Sequence, residues 1–348
     1  MRKAPVNAHV NRFFSELKKG YRVIDKRHLR GRCLQLTVGV MVGVVMAVSF
    51  ISSQNAETEA SFTQPYFTAQ GAVTDSSFWP IGVWLQNPSV KGQQFKNIGI
   101  NLFTGLWKGP TESQLSALNT VGLGAVASQN DVALTSSYGN VVKVWSHVDE
   151  PDNAQWNTQT KKYDPCINPS VIQQRYQEMK AKDATRPVFL NFGRGVADTG
   201  WIGRGTCTGK TEMYAEYAKG ADIVSFDIYP INNGYPIEYI ARGVDNLRSW
   251  TNNEKPIWTF IETTNYNQGG RGPTIAEIKA ETWLAMIHGV NGIVYFCHIF
   301  SPTFIEAGCL SSAETANALK IQNDQIKRLA PVLNAPTIQN GVSVSADQ

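Results

Sequence analysis

Two carboxylates stand directly after continuous apolar runs. Lys143-Val-Trp-Ser-His-Val148 leads into Asp149-Glu150-Pro151-Asp152, and Pro256-Ile-Trp-Thr-Phe-Ile261 leads into Glu262, Thr263 and Thr264. Runs of this kind read as strands buried on both faces, so a charged residue at the end must sit where the packing stops. Two carboxylates at facing strand ends supply a proton donor and a nucleophile or base, the groups that cleavage of a glycosidic bond needs. Each alone has a plainer reading: Glu150 as a helix-capping carboxylate before Pro151, Glu262 as half of a structural ion pair.

Other side chains could line such a site. Trp84, Trp107 and Trp201 fall at or near strand ends or in a long loop, where an aromatic face can stack on a sugar ring. Gln129 and Asn130 could bond hydroxyls or simply cap a loop. His147 lies two residues before Asp149, and strand alternation points both the same way. It could touch substrate or be a satisfied core histidine, and His298 carries the same pair of readings. No CxxC, HxH or HxxxH spacing occurs, so neither a metal site nor any other cofactor is expected.

The elements that must position these residues are eight apolar runs alternating with helical segments. The runs are Ile81–Leu85, Ile100–Leu106, Leu123–Ser128, Val142–Val148, Pro187–Phe192, Asp222–Tyr229, Pro256–Glu262 and Gly292–His298. Helices are expected over Val90–Asn97, Glu112–Thr120, Pro169–Lys182, Thr211–Ala218, Pro236–Thr251, Ile275–His288 and Glu314–Leu329, with a weakly marked one near Asp131–Tyr138. Thr111 and Gln114 form a capping-box pattern. Eight such units predict an α/β fold, a (β/α)8 TIM barrel over residues 76–330. The rival, an open doubly wound sheet, lacks the GxGxxG turn of its nucleotide-binding members. In the barrel the fourth and seventh strand ends face each other across the mouth.

The net charge of +4 is unevenly placed: residues 1–32 hold ten Lys/Arg against Glu16 and Asp25, leaving 22 basic and 26 acidic residues elsewhere. A body of that sign has no footprint for nucleic acid. The basic stretch precedes an uncharged segment, residues 33–56, whose core is Leu36–Ile51. Together they read as an export signal or a membrane anchor, with 1–32 cytoplasmic, 57–75 a linker, and membrane contact confined to this segment. Residues 331–348 read as a tail that is too short for a domain. Of five cysteines, Cys166, Cys207, Cys297 and Cys309 follow the leader, and four cysteines allow three pairings. The long loops after the fourth and fifth strands share one face of the barrel, which predicts Cys166–Cys207. Cys297–Cys309 would then close a short second ring.

With these residues in place the chain resembles the clan of retaining glycoside hydrolases that carry catalytic glutamates after the fourth and seventh barrel strands. The resemblance covers about residues 79–330 and rests on Val-Asp-Glu150-Pro and Thr-Phe-Ile-Glu262. It implies Glu150 as acid/base, Glu262 as nucleophile, and a β-linked oligo- or polysaccharide as substrate. It also sets Asp149 where the clan has an asparagine for the sugar 2-hydroxyl. Asp227-Ile-Tyr229 matches a His-x-Tyr of the sixth strand, with Tyr229 expected to bond the nucleophile. The clan's second-strand arginine is missing from Asn101–Trp107, and Tyr295–Phe300 lacks its eighth-strand tryptophan. A polysaccharide-binding barrel without catalysis and a transglycosylase are the competing readings.

Overall fold

The computed structural model describes residues 76–266 and 270–335. The expected leader, linker and residues 336–348 lie outside the described residues. Among the described residues no helix is long and apolar enough to cross a membrane.

Strands β1 (Ile81–Trp84), β2 (Leu102–Thr104), β3 (Gly124–Ser128), β4 (Val142–Ser146), β5 (Val188–Phe192), β6 (Ile223–Phe226), β7 (Ile257–Glu262) and β8 (Gly292–Phe296) close into one parallel barrel. Each pairs with the next, and β8 pairs with β1. All eight arise within the expected apolar runs. Helices α1 (Pro88–Asn97), α2 (Glu112–Val121), α3 (Asp131–Thr135), α4 (Pro169–Lys182), α5 (Met213–Ala218), α6 (Pro230–Asn233), α7 (Tyr239–Trp250), α8 (Ile275–Ile287) and α9 (Ala313–Leu333) follow or connect them.

The strands are apolar on both faces because they bury two cores. Leu102, Val126, Val144, Phe189, Ile223, Trp258, Phe260 and Val294 fill the barrel. A larger layer, including Phe103, Trp145, Leu190, Ile261 and Tyr295, packs between barrel and helices. The fit inside is tight at Gly82, where a Cβ would come within 2.7 Å of Thr104 Oγ1. Helix starts are fixed locally: Thr111–Gln114 and Thr274–Glu277 form capping boxes, while Asn87, Asn168 and Ser312 cap α1, α4 and α9.

Besides the short unexpected helix α6, two features differ from the sequence expectation. The loop after β4 carries its own antiparallel hairpin, Gln155–Asn157 with Lys162–Asp164. And α9 passes through Pro331 to Leu333, beyond the expected domain end. A proline in the final turn removes only one helical hydrogen bond, so the helix does not stop there. Just past it, Asn334 Nδ2 donates to Ser76 O at 2.7 Å and Phe78 O at 2.8 Å, tying the two ends of the described body together.

Candidate active site

The site is built from the end of β4. Glu150 N donates to Asn191 O at 3.0 Å, so the chain stays pinned to β5 after the ladder ends. Glu150 itself sits at φ 45°, half-buried at the mouth. That left-handed conformation costs a non-glycine residue about 1–3 kcal/mol. Behind it, buried Asp152 accepts from Gly193 N at 2.9 Å and from the Tyr214 hydroxyl at 2.8 Å. Burial, with the neighbouring Glu150 charge adding to it, pushes Asp152 up to about 6. Fully buried Arg204 donates to the Asp152 carbonyl at 3.4 Å. The Cys166–Cys207 disulfide joins the β4 and β5 loops, and Cys297–Cys309 closes the loop after β8, both as expected from the barrel order.

Facing Glu150 is Asp227 from the end of β6. It lies near enough to Glu150 to feel its charge, and Tyr229 donates to its Oδ2 at 3.1 Å. Burial, then the Glu150 and Asp149 charges, hold Asp227 well above the usual carboxylate range. Asp149 is anchored by Asn191 Nδ2 at 3.0 Å. Tyr229 and Trp84 both pack on the inner barrel cluster, so they stand over the barrel interior. The mouth therefore gathers Asp149, Glu150, Asp227 and Tyr229. Tyr229 bonds Asp227 and not the seventh-strand glutamate, a correction to the resemblance that follows from Asp standing where the clan has His.

Glu262 ends β7 as expected, but its side chain is 0% exposed. It accepts from Ile231 N at 2.7 Å, from Asn232 N at 3.0 Å and from the Asn232 amide. Beside it lies Glu281 on α8, itself fully buried. Burial raises Glu262 despite these donors, and burial plus the Glu262 charge raises Glu281 well above the ordinary value. The expectation of an open carboxylate is thus corrected: Glu262 anchors α6 and shares its chamber with a second carboxyl.

The remaining expected residues divide between mouth and frame. Trp84 meets Phe260 edge to face at 5.3 Å. Trp107 is half-buried with the Lys108 ammonium 5.8 Å above its ring. Trp201 is covered by the Arg194 guanidinium at 4.2 Å, which on its other side meets Tyr235 at 4.1 Å. Gln129 bonds Met179 O at 3.0 Å, and Asn130 caps α3 while bonding Pro110 O at 2.8 Å. Both are bracing residues, which corrects their expected contact with sugar. His147 is also frame: its ring bonds Gly220 O at 2.8 Å, and burial lowers it to about 4. His298 is 1% exposed and stacks on Phe300 at 5.8 Å, so it too is a packed core histidine.

Sequence reasoning missed Asp152, Asn191, Asn232 and Glu281. Asn191 had a signal, as a polar residue inside an otherwise apolar run. Asp152 stood in the same acidic run as Glu150. Asn232 and Glu281 had none, because their role depends on which loop and helix cover β7.

No protein-family model matches the sequence, and no curated protein matches it significantly. Similar solved structures are glycoside hydrolases of several families. A beta-glucuronidase from an uncultured Clostridium is 14% identical with a TM-score of 0.47, covering 71% of this chain and 50% of its own. This chain thus spans about half of that protein. A thermostable mutant xylanase from Cellvibrio japonicus is 15% identical with a TM-score of 0.42, covering 63% and 86%. A GH18 chitinase from Pseudoalteromonas aurantia is 11% identical with a TM-score of 0.45, covering 70% and 99%. None is close enough to carry a residue across.

Proposed function

We propose that this protein is an exported glycoside hydrolase acting on β-linked oligo- or polysaccharide, with Glu150 as its proton donor. The observation that carries the reading is Glu150 itself: a half-buried carboxyl, held in a strained backbone conformation at the barrel mouth. Barrel enzymes keep their chemistry at this face, and strain concentrates at functional sites. Trp84, Trp107 and Tyr229 offer aromatic surface for sugar rings around it. The two disulfides fit an oxidising compartment and so the export reading of residues 1–56.

The finer form of the proposal is a retaining double displacement with Glu262 as nucleophile. It requires the Glu262 carboxylate to leave Ile231 and Asn232 and reach the sugar's anomeric carbon. The sealed position of Glu262 favours one second reading, a barrel that binds polysaccharide without cleaving it. A panel of phenyl and 2,4-dinitrophenyl β-glycosides, with E150Q and E262Q, separates these. A proton donor at Glu150 predicts that E150Q loses the phenyl substrates far more than the activated ones. A nucleophile at Glu262 predicts that E262Q loses both. Full activity in E262Q would leave Glu262 as an anchor of α6, and sugar binding without turnover in the parent would establish the binding barrel. Glycosyl transfer to added alcohols would mark a transglycosylase.

A further inference from the structure

The proton donor of a glycosidase stands beside the oxygen that leaves. The chain that continues from it therefore borders the leaving group rather than the sugar under attack. In this protein that chain is the hairpin of Gln155–Asn157 with Lys162–Asp164. It is tied directly to Glu150. Asn153 N donates to Glu150 O at 3.2 Å, and Gln155 Nε2 donates to Glu150 O at 3.2 Å and to Asn153 O at 2.6 Å. The Glu150 carboxyl lies over Gly193, where an added Cβ would come within 3.0 Å of its Oε1. Ala154 N donates to Gly203 O at 3.0 Å, and the Cys166–Cys207 bridge fastens the chain again just beyond the hairpin. A two-stranded hairpin is marginal on its own, so these anchors fix it beside the proton donor.

Trp156 and Tyr163 stand opposite one another in the hairpin's register and meet edge to face at 5.0 Å. Strand alternation puts both on the face opposite Gln155, whose side chain is taken up by the anchor to Glu150. Tyr163 is 59% exposed and Trp156 is half-buried. Rings left this open add little core to the fold. They present what sugar recognition uses: an apolar face for the ring's C–H groups, and a hydroxyl or indole N–H at the edge.

We propose that Trp156 and Tyr163 form a binding platform for a sugar on the leaving-group side of Glu150, so that the leaving group is itself a saccharide of a β-linked chain. The inference rests on the glycosidase reading above for which side is the leaving one. The platform itself does not: in a barrel that only binds, the same two rings would hold the same oligosaccharide. Trp84 and Tyr229, which stand over the barrel interior, are then left for the sugar whose anomeric carbon reacts.

The test compares the parent with W156A/Y163A on cello-, xylo-, manno- and laminaritetraose and on the β-fluorides of the matching disaccharides. Fluoride leaves with no sugar attached and makes no use of the platform. The ratio of kcat/KM for the tetraose to that for the fluoride should fall about tenfold in the double variant, the worth of a good aromatic contact. It should recover most of that loss in W156F/Y163F. An unchanged ratio in a W156A/Y163A protein with parental melting would overturn the proposal. So would an equal loss on both substrates, the mark of a hairpin that merely holds Glu150 in place. Y163A, whose ring is mostly exposed, serves with the same outcomes where the double variant melts early. Calorimetric binding of the same tetraoses separates the two readings. If the parent hydrolyses none of these substrates, the glycosidase reading fails. A tetraose held by the parent and about tenfold more weakly by the double variant would still establish the platform, whereas equal affinity, or no binding by the parent, would overturn it.

Discussion

Replacing Glu150 by Gln keeps the side chain's shape but removes its proton, and general acid catalysis is worth about 10²–10⁴-fold. E150Q should lose that factor on phenyl glycosides, measured as kcat/KM at neutral pH. The second carboxyl chamber gives a stability prediction. Glu281 is fully buried, both its oxygens lack donors, and it faces Glu262. Its folded-state pKa lies above the unfolded value near 4.5, so its contribution is complete below that pH and is lost as pH rises through the folded pKa. E281Q, which cannot ionise, should therefore gain on the parent as pH rises, followed by thermal denaturation from pH 5 to 9. A constant difference across that range would mean the two carboxyls are not coupled to folding. At this scale the sequence was legible where a residue's role follows from its own strand. The place of Glu150 just past the end of β4 could be read that way. The fate of Glu262 could not, because its partners come from α6 and α8, thirty and nineteen residues away.

At the level of elements, the wall behind Glu150 is the β4 loop with its hairpin, fastened to the β5 loop by Cys166–Cys207. That bridge closes a separation of 41 residues, for which chain-entropy arguments give about 4 kcal/mol as an upper figure. The C166S/C207S double variant should unfold at lower temperature and lose turnover along with it, since Asp152, Tyr214 and Arg204 pack beneath the same loop. Parental melting in that variant would show the loop to be held by those buried contacts alone. The eight strands were legible because each is a continuous apolar run bounded by turn residues. The hairpin was not: Gln155-Trp-Asn157 and Lys162-Tyr-Asp164 are three residues long and half-buried or exposed, so neither period nor hydrophobicity marks them. The last turn of α9 lies past the expected helix, Glu314–Leu329, because Pro331 falls where it removes a single helical hydrogen bond.

For the whole molecule, two buried histidines set the response to acid. Burial pushes both His147 and His298 down from an ordinary 6.5 to about 4. Their contribution is present above pH 6.5 and is lost as pH falls toward 4, on the order of 3 kcal/mol for each. The raised carboxyls Asp152, Asp227, Glu262 and Glu281 act in the opposite sense, weakening the fold as pH rises through their folded values. Thermal stability should therefore fall away between pH 6.5 and 4 in the parent and fall less steeply in H147Q. Equal slopes would assign the acid limb to other groups. The barrel itself was legible from the count and alternation of segments, since closure needs nothing that a single strand does not already carry. What closure adds is geographic. Strand β1 begins, and α9 ends, at the face opposite the mouth, and Asn334 clasps Ser76 and Phe78 there. A tether entering at residue 76 would hold the body by its base and present the mouth outward, like a cup on a stem. The same closeness of the two ends means that a few added residues could splice 335 to 76 and let the chain be reopened elsewhere without moving the site.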